Sequence, residues 1–375
     1  MLKGINLTLM IGPAVPIPAP QSVMESLMSI QVNSGKERTG FQMTFAVSKQ
    51  SPLLTTLLPA GYFDPITTRV IIVVTMGGLP NVLMDGIVTR QEFSPSNEPG
   101  KSTLTITGED LSILMNVIEI IRPFPGMPDV AQVYAVLAPY LSFGIVPIVI
   151  PSIIPSVRSL QEGWDMQNAM TDLDYIQMLA RNCGYVFYVE PGPAPGSSIA
   201  YFGPDIRIPI PQPALSINMD VHTNVESLSF SLDGLAKKIV VFTILEPGIK
   251  RVPIPLPLPN LSIVRPPLGA RPTPPAKLEY ANNTATLTAT EATRRILGML
   301  LNSADAISCS GALDVLRYGR ILRSRQLVGV RGAGLTYDGL YYVNSVTHNI
   351  KRGEYKQNFT LSRDGLISQT PRVPV

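Results

Sequence analysis

The chain is poor in the residues that carry most enzyme chemistry. Its 375 residues include two histidines, His222 and His348, and two cysteines, Cys183 and Cys309. Both histidines fall in stretches that read as strands, with no acidic or cysteine cluster at ligand spacing, so a zinc centre is not expected. One cysteine pair cannot build a disulfide framework, and buried free thiols in a protein assembled in a reducing compartment are the expectation. Cys183 has no local histidine to activate it as a nucleophile. Charge is scarce as well. Charged residues make up 15% of the chain and the net charge is +3, a field too weak for a nucleic-acid binder that works by neutralising phosphates. No Walker-type loop is present, and Gly332-Ala333-Gly334 is too short for a dinucleotide loop.

Two pairs of neighbouring carboxylates, Asp172 with Asp174 and Glu109 with Asp110, each sit near a helix start. Acids there complement the helix dipole and need no catalytic explanation. The basic residues Arg317, Arg320, Arg323, Arg325, Arg331, Lys351, Arg352 and Lys356 alternate with apolar ones, as on a solvated sheet face or one that meets an acidic partner. No catalytic, cofactor-binding or metal-ligating residue is therefore assigned, no cofactor is expected, and the chain reads as a non-enzyme.

Turn formers, by contrast, are abundant. Thirty-six prolines and 29 glycines favour a β-rich plan with many loops over a helix bundle. The 45% hydrophobic content beside so few charges suggests surface covered by partners. Strand patterning is clearest at Ile5–Ile11, Ser29–Asn33, Phe41–Val47, Arg69–Thr75, Asn81–Glu92 and Lys101–Thr107, with Met76–Pro80 as a hairpin turn. Helices are expected at Leu111–Glu119, Ala131–Leu141 and Leu173–Cys183, the last capped by Thr171 or Asp172 and stopped by Gly184. Strands are again expected at Val225–Leu232, Lys237–Phe242, Leu313–Gly319 and Gln326–Val330. Val130–Val157 carries no charge and is long enough for a bilayer. Pro139, Pro147, Pro151 and Pro155 interrupt it, each interior proline costing a helix roughly 3 kcal/mol. A helix followed by an extended apolar arm, Ile145–Val157, is expected instead of a membrane span. The N-terminal run is read as a first strand rather than a signal peptide.

Two stretches carry a resemblance. Thr171–Val189, TDLDYIQMLARNCGYVFYV, is a capped helix, a Gly turn and a strand. Gly339–Asp364, GLYYVNSVTHNIKRGEYKQNFTLSRD, is an antiparallel pair around a polar turn. With Thr103–Leu114, TLTITGEDLSIL, and the Gly319–Gly332 run, they resemble the baseplate-hub proteins of contractile injection systems, the phage late-control D and VgrG-like group, in the tail-hub part only. The resemblance implies a β-rich α+β fold with two tail-tube-like antiparallel β-barrels and an intervening α/β region. The first barrel is residues 1–112, completed by 214–246, and the α/β insertion is 113–213. A proline-rich extended strap follows at 247–275, and the second barrel is 276–375 with a helix at 285–308. The final hairpin, Leu340–Leu361, is expected to close that barrel, with Tyr341, Val343 and Ser345 on one face and Tyr342, Asn344 and Val346 on the other. The implied function is structural: a homotrimeric, pseudo-sixfold ring adapting a hexameric inner tube to a separate trimeric spike, with baseplate wedge or LysM-type proteins as further partners. The implied location is the bacterial cytoplasm during assembly and then a phage tail or phage-tail-like particle.

Overall fold

The computed structural model describes residues 4–13, 15–35, 39–98, 100–152, 165–207, 210–244, 252–256, 266–280, 294–295, 298 and 305–370. Alternating apolar and polar residues give most of these segments one buried face, and the backbone answers with antiparallel sheet. Among the described residues thirteen strands hydrogen-bond into one sheet. Its central run is ordered Val225–Leu232, Ile307–Asp314, Glu354–Arg363, Gly339–Lys351, Leu27–Gly35, Thr39–Ala46, Thr103–Asp110 and Leu79–Ser94. Every neighbouring pair in that run is antiparallel.

This run is one four-strand unit used twice. In each unit the first two strands of the chain are neighbours, the last in the chain lies third, and the remaining one lies fourth. The fourth strand of each unit also pairs with the strand before it in the chain, Arg69–Met76 in one half and Leu327–Arg331 in the other. Each of those takes a further partner, Ile5–Gly12 antiparallel in the first half and Gln212–Ser216 parallel in the second. The irregularities repeat too. A register shift lies between Leu27 and Ser29 in one half and between Val225 and Ser227 in the other. A second lies between Val88 and Arg90 and again between Val343 and Ser345. The sequence shows no such repeat.

Among the described residues these strands form one continuous sheet, and no closed barrel forms. The halves share one apolar core, in which Ile30, Phe41, Met43 and Ile106 belong to the same cluster as Tyr341, Val343, Phe359 and Leu361. Val225–Leu232 pairs with Ile307–Asp314, so it sits in the C-terminal half rather than completing residues 1–112. The final hairpin does not end the sheet. It lies mid-sheet, with Gly339–Lys351 paired to Leu27–Gly35 on one side and Glu354–Arg363 paired to Ile307–Asp314 on the other. Its turn is Arg352-Gly353, with Gly353 at φ 82°. The bulge at Asn344 also changes the expected alternation. Tyr341 and Val343 are buried, and beyond the bulge the buried set becomes Val346, His348 and Ile350, while Ser345 and Thr347 face outward.

Other expectations shift locally. Leu313–Gly319 is not a strand: the strand ends at Asp314, whose side chain accepts from the N–H groups of Leu316 and Arg317 and starts the short helix Val315–Tyr318. Leu111–Glu119 divides into a 3-10 turn, Leu111–Asn116, and a strand, Glu119–Phe124. His222 ends an exposed 3-10 turn, Asp220–His222, rather than lying in a strand. The hairpin at Met76–Pro80 forms with both central glycines, Gly77 and Gly78, at positive φ, 57° and 82°.

The insertion has its own core, built on helices Asp129–Leu137 and Asp172–Cys183. Thr171 caps the second helix and Gly184, at φ 71°, ends it, both as expected. Its sheets are Glu119–Phe124 with Asp165–Thr171, and Val186–Pro191 with Ser198–Gly203 and Ile145–Val149. The arm beyond Ile145 begins as that last strand, and its residues 153–157 lie outside the described residues. No helix among the described residues is long and apolar enough to cross a membrane. About half of the strap at 247–275 and most of the helix at 285–308 also lie outside them. Val252–Leu256 and Gly269–Pro272 are strands, and Arg294 reaches the insertion, donating to the Asp129 carboxylate.

The mid-sheet hairpin makes a direct prediction. A chain ending at Gly339 loses both strands that join the halves and exposes two unpaired edges, at Ile307–Asp314 and Leu27–Gly35. It should be recovered mostly as aggregate, with no cooperative urea transition. A soluble fragment that unfolds in one transition would show the hairpin to be peripheral.

Candidate interaction surface

Strand alternation sends the apolar side chains of the central run into the core and the others to the opposite face. Cross-strand register aligns the latter into rows. One row runs Ser227, Ala312, Asn358, Thr347, Asn33, Gly40 and Glu109. Its neighbour in the C-terminal half runs Ser229, Ser310, Thr360 and Ser345, and in the N-terminal half Gln31 lies beside Gln42 and Thr107. These residues are hydroxyls, amides and very small side chains, and the first row meets a charge only at Glu109. The Ser345 and Thr360 hydroxyls lie 2.6 Å apart in a hydrogen bond, and Thr347 Oγ1 donates to Asn33 Oδ1 at 3.4 Å. A shallow concavity of about 370 Å³ lies along the C-terminal rows.

Such a face has little to grip with. Strong protein contacts are built on buried Trp, Tyr and Arg, and of these only Arg90, opposite Thr107 at the end of its row, stands in those rows. It is a polar wall, with Lys356 and Arg90 in the same row as Gln31, Gln42 and Thr107, and Lys351, Glu354 and Glu92 in the row beyond. The sequence contained the signal, since the strands alternate Ser, Thr, Asn or Gln with apolar residues. Only the register shows that seven adjoining strands carry it on one side.

The insertion is fastened across the other parts by two arginines. Arg69 is buried in a two-point pair with Asp85, both bonds 2.7 Å, and donates to the Gly196 carbonyl at 3.2 Å. Ser198 Oγ donates to the same Asp85. Arg325, held at φ 60°, places its guanidinium 3.9 Å from the ring centre of Tyr188 and 3.6 Å from Glu190, and donates to the Gly35 carbonyl at 2.6 Å. Burial raises the Glu190 carboxyl above its ordinary range, against the lowering pull of Arg325. One arginine thus ties the insertion, the N-terminal half and its own loop together. The other basic residues singled out in the sequence have separate roles. Lys356 pairs with Glu226 at 2.8 Å, Arg323 donates to Asn81, and Arg317 and Arg320 are exposed.

The remaining candidate groups are held in structural roles. Asp172 accepts from Gln167 Nε2 at 2.8 Å and from the Tyr140 hydroxyl at 2.9 Å. Asp174 lies in the first turn of the same helix. His348 is buried, its Nδ1 2.7 Å from the Tyr355 hydroxyl and 3.2 Å from Gln357 Nε2, and burial pushes it down to about 3, so it is neutral at physiological pH. Cys183 and Cys309 are free and buried, as expected, and burial pushes their thiols up to about 11 and about 12. Among the described residues no group of three His, Cys, Asp or Glu could hold a metal ion.

Asp110 makes the pH dependence testable. It caps the 3-10 turn by accepting from the Ser112 N–H at 2.8 Å, yet burial pushes its carboxyl up to about 6 from 3.8. A raised acid means the folded state holds its proton longer than the unfolded chain. This contribution is therefore full below about pH 4 and lost as pH rises through 6, on the order of 2–3 kcal/mol. Asp110→Asn keeps an acceptor for the cap and removes the titration. Its urea midpoint should exceed that of the wild type at pH 7.5 and converge with it near pH 4.

No family model matches the chain, and no curated protein matches it. Solved structures do. The tail protein from Neisseria meningitidis MC58 is similar at 15% identity and TM-score 0.62, over 97% of this chain and 98% of its own. The 43 kDa tail protein of prophage MuSo2 from Shewanella oneidensis is similar at 12% identity and TM-score 0.63, over 96% and 99%. The E. coli c3393 protein, a component of the type VI secretion system, is similar at 10% identity and TM-score 0.54, over 93% and 78%. The chain shares the fold of these phage-tail and secretion-system proteins along nearly its whole length.

Proposed function

We propose that this chain is a structural tail or baseplate protein, and within that class the hub of a contractile, phage-tail-like injection machine. The observation that carries the reading is the repeated four-strand unit. Two like units per chain let three chains present six like surfaces around an axis, so one ring can meet a sixfold tube on one side and a threefold spike on the other. The neutral, hydrated face suits the bore of such a ring, because a passage must not hold what moves through it. Its partners would be a hexameric inner tube protein, a separate trimeric spike and other baseplate proteins. The fold shared end to end with phage tail proteins supports the same reading. Residues 1–112 and 276–375 would serve as the two tube-like domains, with Val225–Leu232 contributed to the second, 113–213 as the insertion and 247–275 as a strap.

No turnover is needed for this role. Asp172, His348 and the two thiols are held by hydrogen bonds or burial, as a load-transmitting part requires. Native mass measurement of the pure protein, alone and with a candidate spike, tests the reading. The expected result is a species of three copies, formed alone or on adding the spike. A particle that stays at the monomer mass at high concentration with every candidate spike would overturn the ring.

A further inference from the structure

The repeat also identifies how copies meet. Inside the chain the two units are joined fourth strand to first, Gly339–Lys351 against Leu27–Gly35, with Ser345 opposite Gly35, Thr347 opposite Asn33 and Asn349 opposite Gln31. The other fourth strand and the other first strand have no such neighbour among the described residues. Val225–Leu232 is the last strand of the sheet at one end. At the other, Leu79–Ser94 pairs with Arg69–Met76 only as far as Ile87, while Arg90–Ser94 pairs with Thr103–Thr107 on one side alone. An open antiparallel edge is a ready template for another strand.

We propose that the Arg90–Ser94 edge of one copy adds antiparallel to the Val225–Leu232 edge of the next, repeating the internal junction between chains. It rests on the multi-copy ring proposed above. The matched bulges fix the register. Aligning the shift at Val88/Arg90 with that at Val343/Ser345, and Leu27/Ser29 with Val225/Ser227, places Arg90 opposite Asp233, Glu92 opposite Ser231 and Ser94 opposite Ser229. Two features support this register, and neither was used to derive it. Arg90 meets an acid. On the core side, Phe93 comes opposite Phe230, and Gln91 opposite Leu232. Phe93 is 48% exposed and Leu232 43% in the single chain, whereas His348 and Val32, which hold the positions of Phe93 and Phe230 at the internal junction, are 4% and 0% exposed. Phe93 and Leu232 are exposed in the single chain, and this pairing would cover both. The edges differ from each other, so the contact is head-to-tail and generates a ring when the rotation closes.

The test is a double variant, Glu92→Cys with Ser231→Cys, both at exposed positions of the full chain. Mild oxidation of the assembled protein should give covalent dimers and trimers on non-reducing gels. The wild type, whose own cysteines are buried, and the out-of-register pair Glu92→Cys with Ser227→Cys should give none. In parallel, Arg90→Asp should weaken self-association roughly fivefold or more, and adding Asp233→Arg should restore it. A trimer by mass that never cross-links at this pair, or cross-links equally out of register, overturns the junction and leaves the hub reading standing. A protein that remains monomeric in every arm overturns both.

Discussion

The architecture depends on one backbone ladder, the antiparallel pairing of Gly339–Lys351 with Leu27–Gly35. These strands come from opposite ends of the chain, and their hydrogen bonds turn two half-sheets into one. The shared core exists because of it: Ile30 and Val32 on one strand lie in the same cluster as Val346 and Ile350 on the other. Arg325 reinforces the seam from outside the ladder, donating to Gly35 on the N-terminal side while its own N–H is bonded to Val343 on the C-terminal side. The loop that this pairing closes is nearly the whole chain. Loop entropy grows slowly with length, so the thermodynamic cost is modest. The kinetic cost is larger, because the seam cannot form until both ends of the chain are available.

Much of this was legible in the sequence, for physical reasons that can be named. Stretches with clean alternation, such as Ser29–Asn33 and Phe41–Val47, lie in strands as the pattern predicts, because one face must be buried and the period is two. The helix Asp172–Cys183 was marked at both ends by its Thr171 cap and its Gly184 stop. Local chemistry overrode the pattern elsewhere. Asp314 looks like an interior residue of an apolar stretch, but its carboxylate binds two backbone N–H groups and turns the chain into a helix. Asn344 looks like one more residue of an alternating strand, yet as a bulge it moves every later side chain to the other face. Neither alternation nor propensity reports a bulge. Only the partner strand does: Leu361 and Thr360 of Glu354–Arg363 are successive residues, yet they oppose Val343 and Ser345.

The interaction surface was less legible still. Serine, threonine, asparagine and glutamine on strands read as ordinary solvent-facing residues, and taken singly they are. Their meaning comes from the continuity of the rows across the seam, which depends on strand order. The internal repeat was hidden in a similar way. Equivalent core positions hold different residues, such as Phe41 where the other half has Cys309, and Phe45 where it has Leu313. A core tolerates exchange among apolar residues when volume is recovered nearby, so two copies of a unit can keep backbone, bulges and register while losing sequence identity.

The bulges are the part of the repeat that resists such exchange. Each kinks its strand and resets which side chains face the core, so removing one would turn a row of hydroxyls inward and a row of apolar residues out. In both halves a bulge opens the first strand and another interrupts the fourth, and these are the strands that meet at the seam. The seam therefore joins two strands whose faces are set by the same irregularities, and the neutral face crosses it without a step. A sheet built this way carries the geometry of its next junction in its own open edges. The charge scarcity noted at the outset fits that plan: the rows of the face are almost free of charge, and the charged residues of these strands lie toward its borders.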